Sequence, residues 1–216
     1  MLSNEASAVQ QALIEQGLET PLTKNHLSDA EKRTKITELM TQIIQTLELD
    51  LTDDSIEKTP ERIAKMYVDE IFSGLNYENF PKITTVDNKL NVHQMIKIDN
   101  IDVTSTCEHH FITIDGLARV AYIPHQKILG LSKINRIVRF FAQRPQIQER
   151  LSQQIKIAIQ TLTDSPDVAV EINAKHYCVK ARGVMDAQSK TTTLALGGKF
   201  ENDPQLRSEF MLKTMV

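Results

Sequence analysis

The sequence predicts an α+β fold built on antiparallel strand pairing. Three observations carry that prediction. Helical periodicity fills roughly the first eighty residues, alternation replaces it after Pro81, and beyond Pro166 the alternation returns after two further helices. A chain of 216 residues reads as one domain with an appendage, divided into a helical region over 1–90 and the main α+β region over 91–216.

The elements follow in order. From Ser3 to Gln16, Val9, Ala12 and Leu13 recur at helical spacing, with Gly17 placed to end the helix and Pro21 to prevent its return. Ser28 and Glu31 form a capping box for a second helix, along which Ile36, Met40, Ile43, Ile44 and Leu47 make one apolar stripe that needs a covering surface. A third helix begins at Thr59 with Pro60 in its first position, passes Ile63, Met66, Tyr67 and Ile71, and is expected to stop at Gly74. Ile96, Ile98, Ile101 and Val103 then suit extended chain with a break near Asn100. Phe111–Ile114 and Leu117–Ile123 flank Asp115-Gly116, the strongest hairpin signal in the chain. Helices over Ser132–Gln143 and Gln146–Leu162 are parted by Pro145. Val168, Val170, Ile172 and Ala174 form the inward face of a half-buried strand, Thr191–Leu196 is a further strand, and Asp203-Pro204 opens a last short helix.

Composition narrows the function. With 41% hydrophobic residues, a chain of this length buries about 70% of its extended surface and needs no disulfide staples. The net charge of −3, without a long run of either sign, excludes a basic coat for nucleic acid or anionic lipid, so an anionic ligand must meet a local basic cluster. No stretch approaches the ~20 apolar residues of a membrane span, and the polar start lacks a signal peptide's apolar middle. The cytoplasm is the expected compartment.

Both cysteines and three of the six histidines fall in two short segments. Cys107-Glu108-His109-His110 offers Cys-x-x-His spacing from one tight turn, and continuing the even face of the Val168 strand gives His176 and then Cys178, roughly 6–7 Å apart. If the segments meet, Cys107, one of His109 and His110, and Cys178 supply the three ligands of a catalytic zinc that keeps its fourth position for water. Spacing alone leaves the choice of histidine open. Two cysteines also suit buried small hydrophobes, or less readily a disulfide. His26, His93 and His125 are expected on the solvated surface.

Cationic residues occur in facing pairs. Arg62 and Lys65 share a face of the third helix, and Lys133 and Arg136 share one at the start of the fourth, where Ser132 and the free N–H groups already favour an anion. Such pairs often only solvate a surface. Lys180 and Arg182 follow directly after Cys178, and Gln148 and Glu149 stand in the first turn of the fifth helix.

Five runs in a fixed order carry a resemblance. Thr59–Lys65, Thr104–His110, Gly130–Arg136, Arg144–Arg150 and His176–Gly183 are similar to the motifs of the GTP cyclohydrolase I family in its bacterial form, over nearly the whole chain and weakly only in the first ~25 residues. The resemblance implies the tunnelling fold: an antiparallel β-sheet with packed helices and an N-terminal helical extension, its barrel completed by oligomerisation into a decamer of two pentamers with sites between subunits. It implies conversion of GTP and water to formate and 7,8-dihydroneopterin triphosphate, the entry step of pterin and tetrahydrofolate synthesis. Cys107, His110 and Cys178 would bind Zn2+, which lowers the pKa of a bound water from 15.7 toward ~7 for attack at C8 of the purine. His176 would protonate N7 and His109 would assist opening of the ribose. Glu149, with Gln148, would read guanine, Ser132 would hold the ribose, and Arg62, Lys65, Lys133, Arg136 and Arg182 would grip the triphosphate. Two rivals are a non-catalytic pterin or nucleotide binder with a structural metal, and a pterin enzyme with a three-histidine zinc site. The two cysteines disfavour the latter, and the two spare histidines disfavour the former.

Overall fold

The computed structural model describes residues 2–23 and 27–212; His26 lies outside them. Helix α1 (Asn4–Glu15) starts where the Ser3 hydroxyl accepts a hydrogen bond from the Ala6 N–H at 3.1 Å, and Ala6, Val9 and Leu13 are buried in the main core. Helix α2 (Asp29–Thr46) has both halves of its capping box: Ser28 N–H donates to Glu31 at 2.7 Å, and Glu31 N–H donates to Ser28 Oγ at 3.3 Å. Of its apolar stripe only Ile44 is buried, while Ile43 and Leu47 are 49% and 65% exposed.

Helix α3 (Thr59–Lys65) is shorter than the sequence suggests, because from Met66 to Ile71 the chain widens into a π-helix. Phe72 N–H reaches back five residues to Tyr67 O at 3.2 Å. In an α-helix residues five apart diverge by roughly 140°. The widened turn instead puts both rings against Phe111, with centroids 6.2 Å and 5.2 Å away. Gly74 lies in a following 3-10 turn, where a Cβ would come within 2.0 Å of Phe140 O, so close approach between backbones requires glycine there.

Strand β1 (Thr85–Asp87) pairs with β4 (Lys127–Leu129) in a small sheet without a sequence counterpart among the expected elements. The main sheet contains β2 (Ile96–Cys107), β3 (Thr113–Tyr122), β5 (Pro145–Gln146), β6 (Val168–His176) and β7 (Thr191–Leu196) in the order β5-β2-β3-β6-β7. Every pairing is antiparallel except β5 with β2. The expected break at Asn100 is a β-bulge inside one long strand, with Asn100 at φ 57° and the register shifting between Ile98 and Ile101.

The expected hairpin turn at Asp115-Gly116 is not there. Strand β3 runs straight through both residues, paired with β2 on one side and β6 on the other. Gly116 serves packing instead, since a Cβ would lie 2.2 Å from Asn173 O on β6. The hairpin turns earlier, between Cys107 and Thr113, and that relocation builds the site.

Helices α4 (Leu131–Ala142) and α5 (Gln148–Thr163) pack on one face of the sheet, α4 against β2 and α5 against β6 and β7, with α1 laid over α5. Val168, Val170, Ile172 and Ala174 are buried on that face, as their alternation predicts. A second, smaller core gathers Ala121, Ile123, Ala169, Phe200 and Phe210, supplied in part by α7 (Lys199–Asn202) and α8 (Pro204–Met211), the short α6 (Tyr177–Lys180) having come before them.

Candidate metal centre and active site

Cys107 is the last residue of β2, and the loop after it is closed by its own backbone. Cys107 N–H donates to Ile112 O and Phe111 N–H to Cys107 O, both at 2.8 Å. Phe111 takes φ 52°, a left-handed conformation uncommon for a bulky side chain, and lets the chain reverse within five residues. Glu108 N–H donates to Gln146 O at 3.0 Å, so β5 holds the loop from the side.

Cys178 reaches the same place by a route the alternation did not predict. Strand β6 ends at His176, and Cys178 sits on the helical turn α6 rather than on the even face of a continuing strand. Because β6 lies beside β3, its end emerges next to the β2–β3 loop: Ile114 pairs with His176. One ligand atom each from Cys107, His110 and Cys178 lies within 4.8 Å of the others. Both thiols are free, Cys107 buried and Cys178 half-buried. Burial pushes the Cys178 thiol up, and the neighbouring Cys107 thiol adds to the shift through a hydrogen bond and its charge. His109 is exposed, its Nδ1 3.8 Å from Cys107 Sγ.

The donor set suits zinc. Bond lengths of about 2.3 Å to sulfur and about 2.0–2.1 Å to nitrogen put ligand atoms on one ion roughly 3.5–3.8 Å apart, so the group is ~1 Å from closing on a zinc. Two thiols and one imidazole make three protein ligands, which leaves a fourth position open.

His176 stands beside this group, fixed by Gln148. The Gln148 side-chain N–H2 donates to Ile172 O, Thr191 O and Thr193 Oγ1 at 2.9, 3.0 and 3.1 Å, which turns its Oε1 toward His176 Nε2 at 2.8 Å. An amide oxygen only accepts, so the imidazole carries its proton on Nε2 and leaves Nδ1 free to gain and give one. Burial lowers the His176 pKa, and the negative charge of Glu149 opposes that shift. Glu149 itself is exposed in the first turn of α5.

The remaining candidates come from α3, from α4 and from the segment that follows α6. Arg182 NH1 donates to His110 Nε2 at 2.9 Å. Ser132, Lys133 and Arg136 occupy the first turns of α4, while Arg62 and Lys65 are exposed on α3, where Lys65 borders a polar groove with Arg33 and Asp69. Among the described residues, no hydrogen bond or ion pair joins these five to the Cys107–His110–Cys178 group. His93 and His125 are exposed. Sequence reasoning missed the pairing of Arg150 with Glu108, which joins the first turns of α5 to the metal loop. No local spacing signalled it, because the two residues stand 42 positions apart along the chain.

A family model described as GTP cyclohydrolase I matches residues 36–215. The chain belongs to the GTP cyclohydrolase I family. GTP cyclohydrolase 1 of Vibrio vulnificus strain YJ016 is 64% identical over 210 residues, which cover 97% of each chain. Its counterpart in Vibrio cholerae is also 64% identical over 97% of each chain, and that of Shewanella amazonensis is 62% identical over the same share. Membership makes the chain an enzyme, a hydrolase of the α+β tunnelling-fold class. A solved structure, the archaeosine synthase QueF-Like in the apo form, aligns over 48% of this chain and 93% of that one, with 15% identity and a TM-score of 0.41.

Proposed function

We propose that the protein hydrolyses and rearranges GTP to 7,8-dihydroneopterin triphosphate and formate with a zinc ion held by Cys107, His110 and Cys178, as the first step of pterin and tetrahydrofolate synthesis. The observation that carries this reading is the convergence of those three side chains beside a histidine whose tautomer is set by a buried glutamine. When bound, zinc acidifies a water toward pKa ~7 and so supplies the nucleophile for C8 of the purine.

The chain's own residues do the rest. His176 holds a proton at Nδ1 for delivery to N7, with Gln148 orienting its ring at the border of the base pocket. His109 assists opening of the ribose ring. Glu149 accepts hydrogen bonds from guanine N1–H and the 2-amino group, a pair of donors that adenine lacks in that place, so ATP would leave a carboxylate unpaired at about 1–3 kcal/mol or more. Ser132 contacts the ribose, and Arg62, Lys65, Lys133, Arg136 and Arg182 neutralise the triphosphate.

The family resemblance further points to a homo-oligomer with sites between subunits, a decamer of two pentamers, in which a second copy would bring additional cations to each site. Both sheet edges support it: among the described residues, β7 pairs only with β6, and β5 covers β2 only at Thr106 and Cys107. In this reading residues 1–90 supply helical contacts and 91–216 the catalytic tunnelling-fold domain, working in the cytoplasm. The test is incubation of metal-replete protein with GTP. Formate release and a fluorescent pterin after oxidation are expected, and the absence of both would overturn the reading.

A further inference from the structure

The first turns of α5 present three consecutive polar side chains to three different tasks. Gln148 is buried and orients His176, Glu149 projects outward, and Arg150 turns toward the metal loop. The Arg150 side chain is only 14% exposed, and its guanidinium has three acceptors: the Glu108 carboxylate, Gln146 Oε1 at 3.2 Å and Pro145 O at 3.2 Å. Glu108 stands between Cys107 and His109, so the ion pair grips the loop at the residue beside one metal-binding side chain and two before another.

What Arg150 pulls against is rigid. Gln146 is fully buried, its amide donates to Phe141 O at 2.8 Å and to Gln154 Oε1 at 2.7 Å, and its backbone pairs with Cys107. Gln154 in turn donates to Leu18 O at 2.8 Å. The metal loop is therefore tied through Arg150 and Gln146 to the body of the molecule, whereas His109 and His110 at its tip are exposed.

We propose that Arg150 is a positioning residue for the metal centre: its ion pair with Glu108 holds the Cys107–His110 loop at the separation from Cys178 that zinc needs. Because Glu149 shares the same helical turn, the guanine-reading carboxylate and the metal loop keep a common reference. This inference rests on the zinc reading above and extends it to a residue outside the ligand set. A planar guanidinium suits the task, since it reaches the carboxylate and two further oxygens together, whereas a lysine ammonium lacks that planar fork.

The test measures metal binding separately from turnover. Zinc affinity by chelator competition and the absorption spectrum of the cobalt-substituted protein are compared for the unaltered chain, Arg150→Gln, Arg150→Lys, Glu108→Gln and the double variant. Loss of a partner bonded directly to a metal ligand lowers affinity roughly 10- to 100-fold; Arg150 and Glu108 act one residue removed, so a loss of up to about 10-fold is expected for Arg150→Gln and Glu108→Gln, with a changed cobalt spectrum. Arg150→Lys should recover part of it. The double variant should bind zinc no more weakly than the worse single one, because both substitutions remove one interaction. Unaltered chain that binds zinc and turns over GTP, beside Arg150→Gln and Glu108→Gln that keep both its affinity and its cobalt spectrum, would overturn the positioning role alone. If the unaltered chain binds no zinc, the underlying reading falls and this inference with it. Should Arg150→Gln fail to fold, Glu108→Gln, altered at a partly exposed loop position, decides by the same two measurements.

Discussion

At the scale of single residues, chemistry and packing make separate demands that leave separate signatures. Cys178→Ser removes one of two thiolates, so bound zinc is expected to fall well below one per chain and turnover to vanish; metal analysis of purified protein checks the first and the pterin assay the second. Glu149→Gln keeps the shape of the side chain but puts an amide where guanine donors arrive, and should weaken GTP binding by at least about 1 kcal/mol, read by titration calorimetry. Gly116 answers to packing alone. A Cβ there would lie 2.2 Å from a β6 backbone oxygen, so Gly116→Ala is expected to cost about 1–3 kcal/mol of stability, seen as a lower denaturation midpoint. Asp115-Gly116 looked like a turn because its preference for positive φ is a local property, and the same glycine is also what a crowded central strand selects. Nothing within a few residues of it distinguishes the two.

At the scale of elements, helix starts were the most legible feature. Ser3, Ser28 and Asp203 all cap through side-chain oxygens, because capping is decided by three or four successive residues. The Ser28–Glu31 box also makes a prediction in pH. Hydrogen bonds from the Ser28 hydroxyl and then its backbone N–H lower the Glu31 pKa below its ordinary 4.5. The contribution of the box is thus complete above pH 4.5 and is lost as pH falls through the lower folded-state value, and the protection of first-turn α2 amides, measured relative to the intrinsic exchange rate at each pH, should fall over that range. Interruptions inside elements were not legible. The π-helix after α3 exists so that Tyr67 and Phe72 can both meet Phe111, some forty residues further along. Likewise Cys178 stands on a helical turn, and the strand geometry that predicted its placement beside His176 did not produce it.

At the scale of the whole molecule, the exposed stripe of α2 and the open sheet edges are the surfaces on which the proposed oligomer can be tested. Leu39, Ile43 and Leu47 are each about half exposed or more, on a helix whose polar residues have no difficulty finding water. Joint substitution Ile43→Glu with Leu47→Glu is expected to lower the solution mass measured by light scattering, and turnover with it. An unchanged mass would overturn the proposal that this stripe is covered by another copy.

Sequence alone determined the class of the fold, most helix starts and the two segments from which metal ligands would come, since residue type, capping and periodicity act within one or two turns of chain. Only the tertiary structure decided where the hairpin reverses, why Gly116 is a glycine, how Gln148 orients His176 and that Arg150 grips Glu108. Those facts belong to pairs of residues that are distant along the chain, 42 positions apart for Arg150 and Glu108, and a charge or an amide carries no mark of its partner until the backbone brings the two together.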